Sequence, residues 1–266
     1  MNIQEITNLE DARLRPYCAL TNSRSYRQSG LLIAESRFLV ERLLASPLQV
    51  ESILVDDLSK VPPLPVGEQA TPVFCLPRDQ IQRLVGFNFH RGVMACGVRP
   101  DLSRLDQVDW PAETARLTLS VVSQVVDPEN LGSLIRASSA FGADAILLDD
   151  RCGDPFSRRA LRVSTGHAFK IPIVETTDLR QELAAARKLG FELIATVLDD
   201  AAIPVIAETA RKDRTALLFG NEGFGLEADL LELADRRVTI PMRRGSDSLN
   251  VAMAAGVFLY HYCYLL

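Results

Sequence analysis

The segment Leu217–Leu226, LLFGNEGFGL, decides how this chain is read. An apolar run enters a tight polar turn, Gly220–Gly225, with three glycines in six residues, and a helix-like pattern follows. Ile240–Gly256 (IPMRRGSDSLNVAMAAG) and Val125–Phe141 (VVDPENLGSLIRASSAF) repeat that layout. Strand, polar turn, then helix is the arrangement of a ligand crevice at the carboxyl ends of parallel strands. Three such segments together are far more specific than any one.

Around them the pattern is regular. Short apolar runs at Leu117–Val122, Ala145–Leu148, Ile171–Val174, Phe191–Val197, Thr215–Phe219 and Val238–Ile240 read as strands. Helical periodicity at Leu131–Phe141, Leu179–Leu189, Glu227–Leu233 and Leu249–Leu266 falls between or after them. This alternation predicts an α/β domain whose parallel sheet is covered by helices on both faces. Arg99–Arg116 breaks the periodicity with two prolines and mixed charges, which predicts a linker at 101–116. Residues 1–100 carry helical patterns at Ser36–Ala45 and Arg78–Val85 and strand-like runs at Val50–Val55, Pro72–Cys75 and Gly92–Val98. They predict a smaller α/β domain ahead of the main one, 117–266.

At 266 residues and 47% hydrophobic content the chain has material for a real core. Its most apolar tail, Val251–Leu266, includes His261 and three tyrosines. It is shorter than the ~20 residues of a membrane span, so a buried or interface helix is expected and no membrane partner. The first residues, MNIQEITNLEDARLRPY, lack the apolar stretch of a secretion signal. Five scattered cysteines without a C-x-x-C pair fit a reducing, cytoplasmic setting rather than a disulfide framework. None of the three histidines has a second metal ligand at helical spacing, so no metal is expected. A net charge of −5 gives no general attraction for nucleic acid. Of the 29 basic residues 25 are arginine, whose fork suits phosphate, although genomic base composition explains the bias equally well. Charge leaves the partner open.

The turns carry the chemistry. Asp127-Pro128 starts a turn and Asn130 is expected to cap the following helix. Leu131, Leu134, Ile135 and Ser138 then face a core, with Gly132, Ser133 and Arg136 on another face. Arg136 lies near the positive end of that helix and gains nothing from the dipole, which makes it a candidate anion binder. A solvated surface arginine fits the segment as well. Gly220–Gly225 allows close backbone approach to a ligand. It is neither a P-loop nor the dinucleotide fingerprint, and an ordinary structural turn remains open. Ser248-Leu249-Asn250 opens the terminal helix, where hydroxyl and amide groups beside free N–H groups seat a polar ligand or simply cap the helix.

Taken together, Asn130-x-Gly132-x-x-x-Arg136, Gly220-Asn221-Glu222-Gly223-x-Gly225, and Ile240-Pro241-Met242 followed by Ser248-Leu249-Asn250 resemble the three motifs of the SpoU (TrmH) family. These are RNA 2′-O-ribose methyltransferases of the SPOUT class. Ser164-Thr165-Gly166-His167-Ala168 is similar to a further family segment, with His167 inserted, and Asp247 stands where glutamate is common. More loosely, Asn22–Arg27, Phe38–Glu41 and His90–Val93 resemble the family's small RNA-binding domain, which is similar to ribosomal protein L30e. There Glu35 is followed by Ser36 in place of glycine, and His90 replaces a usual glutamine.

The resemblance implies a deep C-terminal trefoil knot, homodimerisation through the knot region, and S-adenosylmethionine held by Thr196, Val197, Phe219, Gly220, Ile240, Met242, Ser248 and Leu249. It implies catalytic roles for Arg136, Asn130, Ser248, Asn250 and Glu222, with Asn130 orienting Arg136 or the ribose. The expected activity is methyl transfer to a ribose 2′-hydroxyl of ribosomal RNA. Transfer RNA, or a catalytically inert RNA-binding relative, is the alternative. Arg24, Arg27, Arg91, Arg158, Arg159 and Arg162 are the expected RNA phosphate contacts.

Overall fold

Runs of β-branched and aliphatic residues build two sheets in the computed structural model, which describes residues 2–18, 20, 27–65, 70–111, 116–244 and 247–265. The chain divides into two compact units, residues 1–101 with 156–170, and residues 102–155 with 171–266.

In the first unit, strands β1 (Asn2–Gln4), β2 (Leu31–Glu35), β3 (Val50–Val55), β4 (Pro72–Cys75) and β5 (Val93–Val98) form one sheet in the order β1-β4-β3-β5-β2. β1, β4 and β3 run parallel, and β5 pairs antiparallel with both β3 and β2. Helices α1 (Arg37–Leu44) and α2 (Arg78–Val85) place Leu39, Val40 and Ile81 among the buried residues. Ser36, at φ 105°, caps α1 by accepting from the Leu39 amide. One core contains Leu14, Tyr17, Ile33, Leu54, Phe74 and Ile81, and the buried Tyr17 hydroxyl bonds Ser52.

The second unit is a seven-stranded sheet, every neighbouring pair of which is parallel. Its strands are β6 (Leu117–Val122), β7 (Ala145–Asp149), β8 (Ile173–Thr176), β9 (Glu192–Val197), β10 (Ile203–Pro204), β11 (Arg214–Phe219) and β12 (Arg236–Thr239), in the order β10-β12-β9-β11-β6-β7-β8. Every residue of β6 and β7 is buried, as expected for central strands covered on both faces. Helix α3 (Pro128–Ala140) packs along the terminal helix, and Phe219 and Phe258 meet with ring centroids 6.3 Å apart. Burying rings of that size contributes roughly 2–3 kcal/mol each. Among the described residues no helix is long and apolar enough to cross a membrane.

Two local readings change. Helix α4 (Arg158–Val163) belongs to the first unit, so Phe156–Lys170 leaves the stretch expected to be continuous from 117 to 266. Within that segment Thr165 and Gly166 are left-handed, and the Arg42 guanidinium of α1 donates to the Thr165 carbonyl. The terminal helix is shorter than expected. After α5 (Leu179–Lys188) and α6 (Ala228–Leu233), α7 runs over Val251–Tyr260 and widens into a π-turn at His261–Leu265.

Candidate active site

Three loops leave the carboxyl ends of β6, β11 and β12. After β6, Gln124 adopts a left-handed φ of 58°. Asp127, not Asn130, is the N-cap of α3. Its carboxylate accepts from the amides of Glu129 and Asn130, because Pro128 at the first helical position already starts the helix. Asn130 therefore lies in the first turn with its carboxamide available.

The glycine loop follows β11. A Cβ on Gly220 would lie 2.3 Å from the Gly225 carbonyl carbon, so no other residue fits there unchanged. Asn221 and Gly225 exchange backbone hydrogen bonds at 3.0 and 2.9 Å. The Asn221 side-chain oxygen accepts from the Gly223 and Phe224 amides, and its nitrogen donates to the Gln124 carbonyl at 2.9 Å. The turn is thereby fixed from within and tied to the β6 loop. Its tip presents Phe224, 92% exposed.

After β12 the chain passes Ile240 and Met242, and Gly245 lies outside the described residues. Asn250, rather than Ser248, caps α7 by accepting from the Ala252 and Met253 amides. The same carboxamide donates to Asn130 Oδ1 at 2.7 Å, and Asn130 Nδ2 donates to Glu222 Oε1 at 2.6 Å. One residue from each loop thus joins a continuous hydrogen-bonded row.

Beside it opens a cleft of about 350 Å³. Thr196, Val197, Phe219, Gly220, Ile240, Met242, Ser248 and Leu249 all line it. Its walls combine apolar side chains, including Val251 and Phe258, with the backbone of the glycine loop. Flat apolar walls and backbone polar groups suit a purine ring and an amino-acid tail, and the volume is that of a small-molecule site. These residues fit S-adenosylmethionine.

Arg136 is not among the cleft residues of its own chain. It is exposed, six residues beyond Asn130 on α3, about 9 Å along the axis and on a different side. The Asn130 carboxamide is engaged by Glu222 and Asn250. Gly132, expected beside Arg136, is buried.

Among the expected RNA contacts, Arg24 lies outside the described residues. Arg91, Arg159 and Arg162 are exposed and Arg27 is half-buried. Desolvation, and then the charges of Arg159 and Arg91, push the Arg162 guanidinium below its ordinary pKa. Such a cluster favours an anion. Arg158 differs, because it pairs with Glu35 at 2.5 Å and stacks over Phe87, and so holds α4 in place. The sequence assigns no site role to Gln124 or Asp149, and gives Asn221 only as part of the glycine motif.

The sequence profile of the SpoU rRNA Methylase family matches residues 118–260. An uncharacterised tRNA/rRNA methyltransferase of Mycobacterium tuberculosis is 36% identical, over 98% of this chain and 91% of its own length. The 23S rRNA (guanosine(2553)-2′-O)-methyltransferase RlmP of Bacillus subtilis is 30% identical, over 97% of this chain and 99% of its own. The crystal structure of an AdoMet-bound rRNA methyltransferase from Sinorhizobium meliloti superposes with a TM-score of 0.81 at 23% identity, covering 97% of both chains.

Proposed function

Because this chain belongs to the SpoU rRNA methylase family, we propose that it transfers a methyl group from S-adenosylmethionine to a ribose 2′-hydroxyl of ribosomal RNA. The single observation that supports this most is that the loops after β11 and β12 line one cleft, to which the first motif is joined by the bonded row of Asn130, Glu222 and Asn250.

When bound, held by the residues lining the cleft, the donor would supply an electrophilic methyl carbon for transfer to the ribose oxygen. The 2′-hydroxyl must lose its proton on the way, and the oxygen needs a cationic neighbour. Arg136 supplies that guanidinium, stabilising the developing alkoxide or holding the flanking phosphate. Ser248 and Asn250 position donor and ribose, and Glu222 with Asn130 fixes the two loops against each other. Aligning the reactants contributes much of the remaining acceleration.

The protein acts as a homodimer. Met253, Val257, Tyr260 and Tyr264 leave an exposed apolar face on and just beyond α7, next to α3, which favours covering by a second copy. Arg136 lies outside its own cleft, so such pairing gives it the partner's cleft to serve. We also assign a trefoil knot to the chain end. It is supported by the route of the chain, which runs out to β12 beyond β9 and then returns as α7 to pack on α3. The first unit is assigned as an L30e-like RNA-binding domain, with Arg91, Arg159 and Arg162 contacting phosphates. Five free thiols fit action in the cytoplasm.

The test is incubation of the full chain with labelled donor and total RNA from a strain lacking the gene. The expected label is an alkali-resistant ribose methylation in ribosomal RNA. Label in transfer RNA would move the substrate, and label only on protein or a small molecule would overturn the assignment.

A further inference from the structure

The carboxylate of Asp149, at the end of β7, is 3% exposed and lines no part of the cleft, yet its contacts lead there. Oδ1 accepts from the backbone amides of Gln124 at 3.1 Å and Arg151 at 3.2 Å. Oδ2 accepts from the Ser123 hydroxyl at 2.7 Å and from Arg151 Nη2 at 3.2 Å. The Arg151 fork continues to both oxygens of Glu227, at 2.7 and 2.8 Å. Glu227 in turn hydrogen-bonds the Gln124 side chain.

Gln124 is thus held on both its amide and its side chain. That matters because its φ of 58° is a conformation a glutamine rarely adopts unaided. Only with the peptide turned this way does the Gln124 carbonyl meet the Asn221 carboxamide, whose oxygen fixes the Gly223 and Phe224 amides of the glycine loop. The Ser123 amide adds a bond to the Phe219 carbonyl, just before Gly220.

We propose that Asp149 is a positioning residue of the donor cleft. It locks the Ser123–Gln124 turn in its left-handed form and, through Gln124 and Asn221, sets the conformation of the Gly220–Gly225 loop. Its consequence for donor affinity rests on reading the cleft as the S-adenosylmethionine site. Its consequence for the loop does not.

The test uses two measurements on the full chain, with melting temperature as a check on folding. The first is amide hydrogen exchange of the ligand-free protein. Asp149→Ala should speed exchange at Gly223 and Phe224 by about tenfold or more, as when an outer support of a site is lost. The second is calorimetric titration with S-adenosylmethionine, where the same variant should bind roughly 10- to 100-fold more weakly. Asp149→Asn keeps an acceptor for both backbone amides and should retain most of the affinity. Gln124→Gly, added to Asp149→Ala, should restore much of the loss, because glycine takes the left-handed turn without support. A purely structural carboxylate would lower the melting temperature with no such rescue. Unchanged exchange in Asp149→Ala, or a loss that Gln124→Gly leaves untouched, overturns the proposal. A parent chain that fails to bind the donor, with exchange responding as expected, overturns the reading of the cleft instead.

Discussion

The two ends of the parallel sheet are built from different chemistry. Where the strands begin, full charges face each other. Arg236, the first residue of β12, pairs with Glu192 at 2.8 Å and with Glu208, and both carboxylates are buried. The Tyr262 hydroxyl donates to Glu208 at 2.9 Å. Arg211 donates to the Leu117 and Tyr262 carbonyls and to the Thr118 hydroxyl, tying the chain end to β6. Where the strands end, the bonded row is two neutral amides and one carboxylate, set among glycines and exposed backbone. Buried ion pairs hold one geometry and tolerate little loss, whereas amides leave donors and acceptors for a ligand. At the strand starts the ion pairs have no ligand to serve, whereas at the strand ends a charged cluster, Asp149–Arg151–Glu227, stands behind the recognition loops.

The sharpest break of this division is Arg236→Ala. It leaves buried Glu192 with only the longer Lys212 contact at 3.6 Å and buried Glu208 with only the Tyr262 hydroxyl, which costs on the order of 3 kcal/mol. At about 2–4 °C per kcal/mol, melting should fall by roughly 10 °C. Donor affinity of the folded protein, measured by calorimetry, should not change. Arg136→Ala is the converse, slowing methyl transfer on the order of 100- to 1000-fold with melting unaltered. If turnover stayed within a few-fold of the parent, Arg136 would have no part in the chemistry. Gly220→Ala forces a Cβ against the Gly225 backbone and should cost about 1–3 kcal/mol, read mainly as weaker donor binding. Tyr262→Phe removes one bond to Glu208 and should lower stability by about 1 kcal/mol in a denaturant titration.

The smallest effect is a pH dependence at the cleft end. Hydrogen bonds from Arg151 hold the exposed Glu227 carboxylate below its ordinary pKa. A depressed carboxylate contributes stability above its unfolded pKa and loses it as pH falls through the folded value. Melting curves should therefore decline in that acid range, and Arg151→Ala should flatten the part due to this pair.

The main sheet was legible because its strands are apolar runs bounded by turn residues. Leu117–Val122 was read to the residue, and Ala145–Leu148 to within one. Ile203–Pro204 was not, since a two-residue edge strand carries no period to detect. The eight cleft residues could be named only because the motifs resemble those of the SpoU family; strand ends and turns by themselves left the ligand open. The cap of α3 was misassigned although Asp127-Pro128 was in view, because Asn130 competes as a capping residue and only geometry separates them. Asp149 reads in the sequence only as an acid at a strand end, with no glycine fingerprint to give it a ligand, and its actual role is hidden for a different reason. Its partners lie about 25 residues upstream in Ser123 and Gln124, and the left-handed φ that gives it a purpose leaves no mark in a glutamine.

The excursion of Phe156–Lys170 has a consequence for how this protein is inherited and dismantled. The backbone crosses from one unit to the other three times, so no single cut yields two self-sufficient halves. A fragment starting at residue 102 would carry Ala160, Leu161, Ala168 and Phe169 stripped of their surroundings, as bare greasy surface prone to clump. Shuffling of the front portion between relatives would have to carry this fifteen-residue insert with it, as a matched pair.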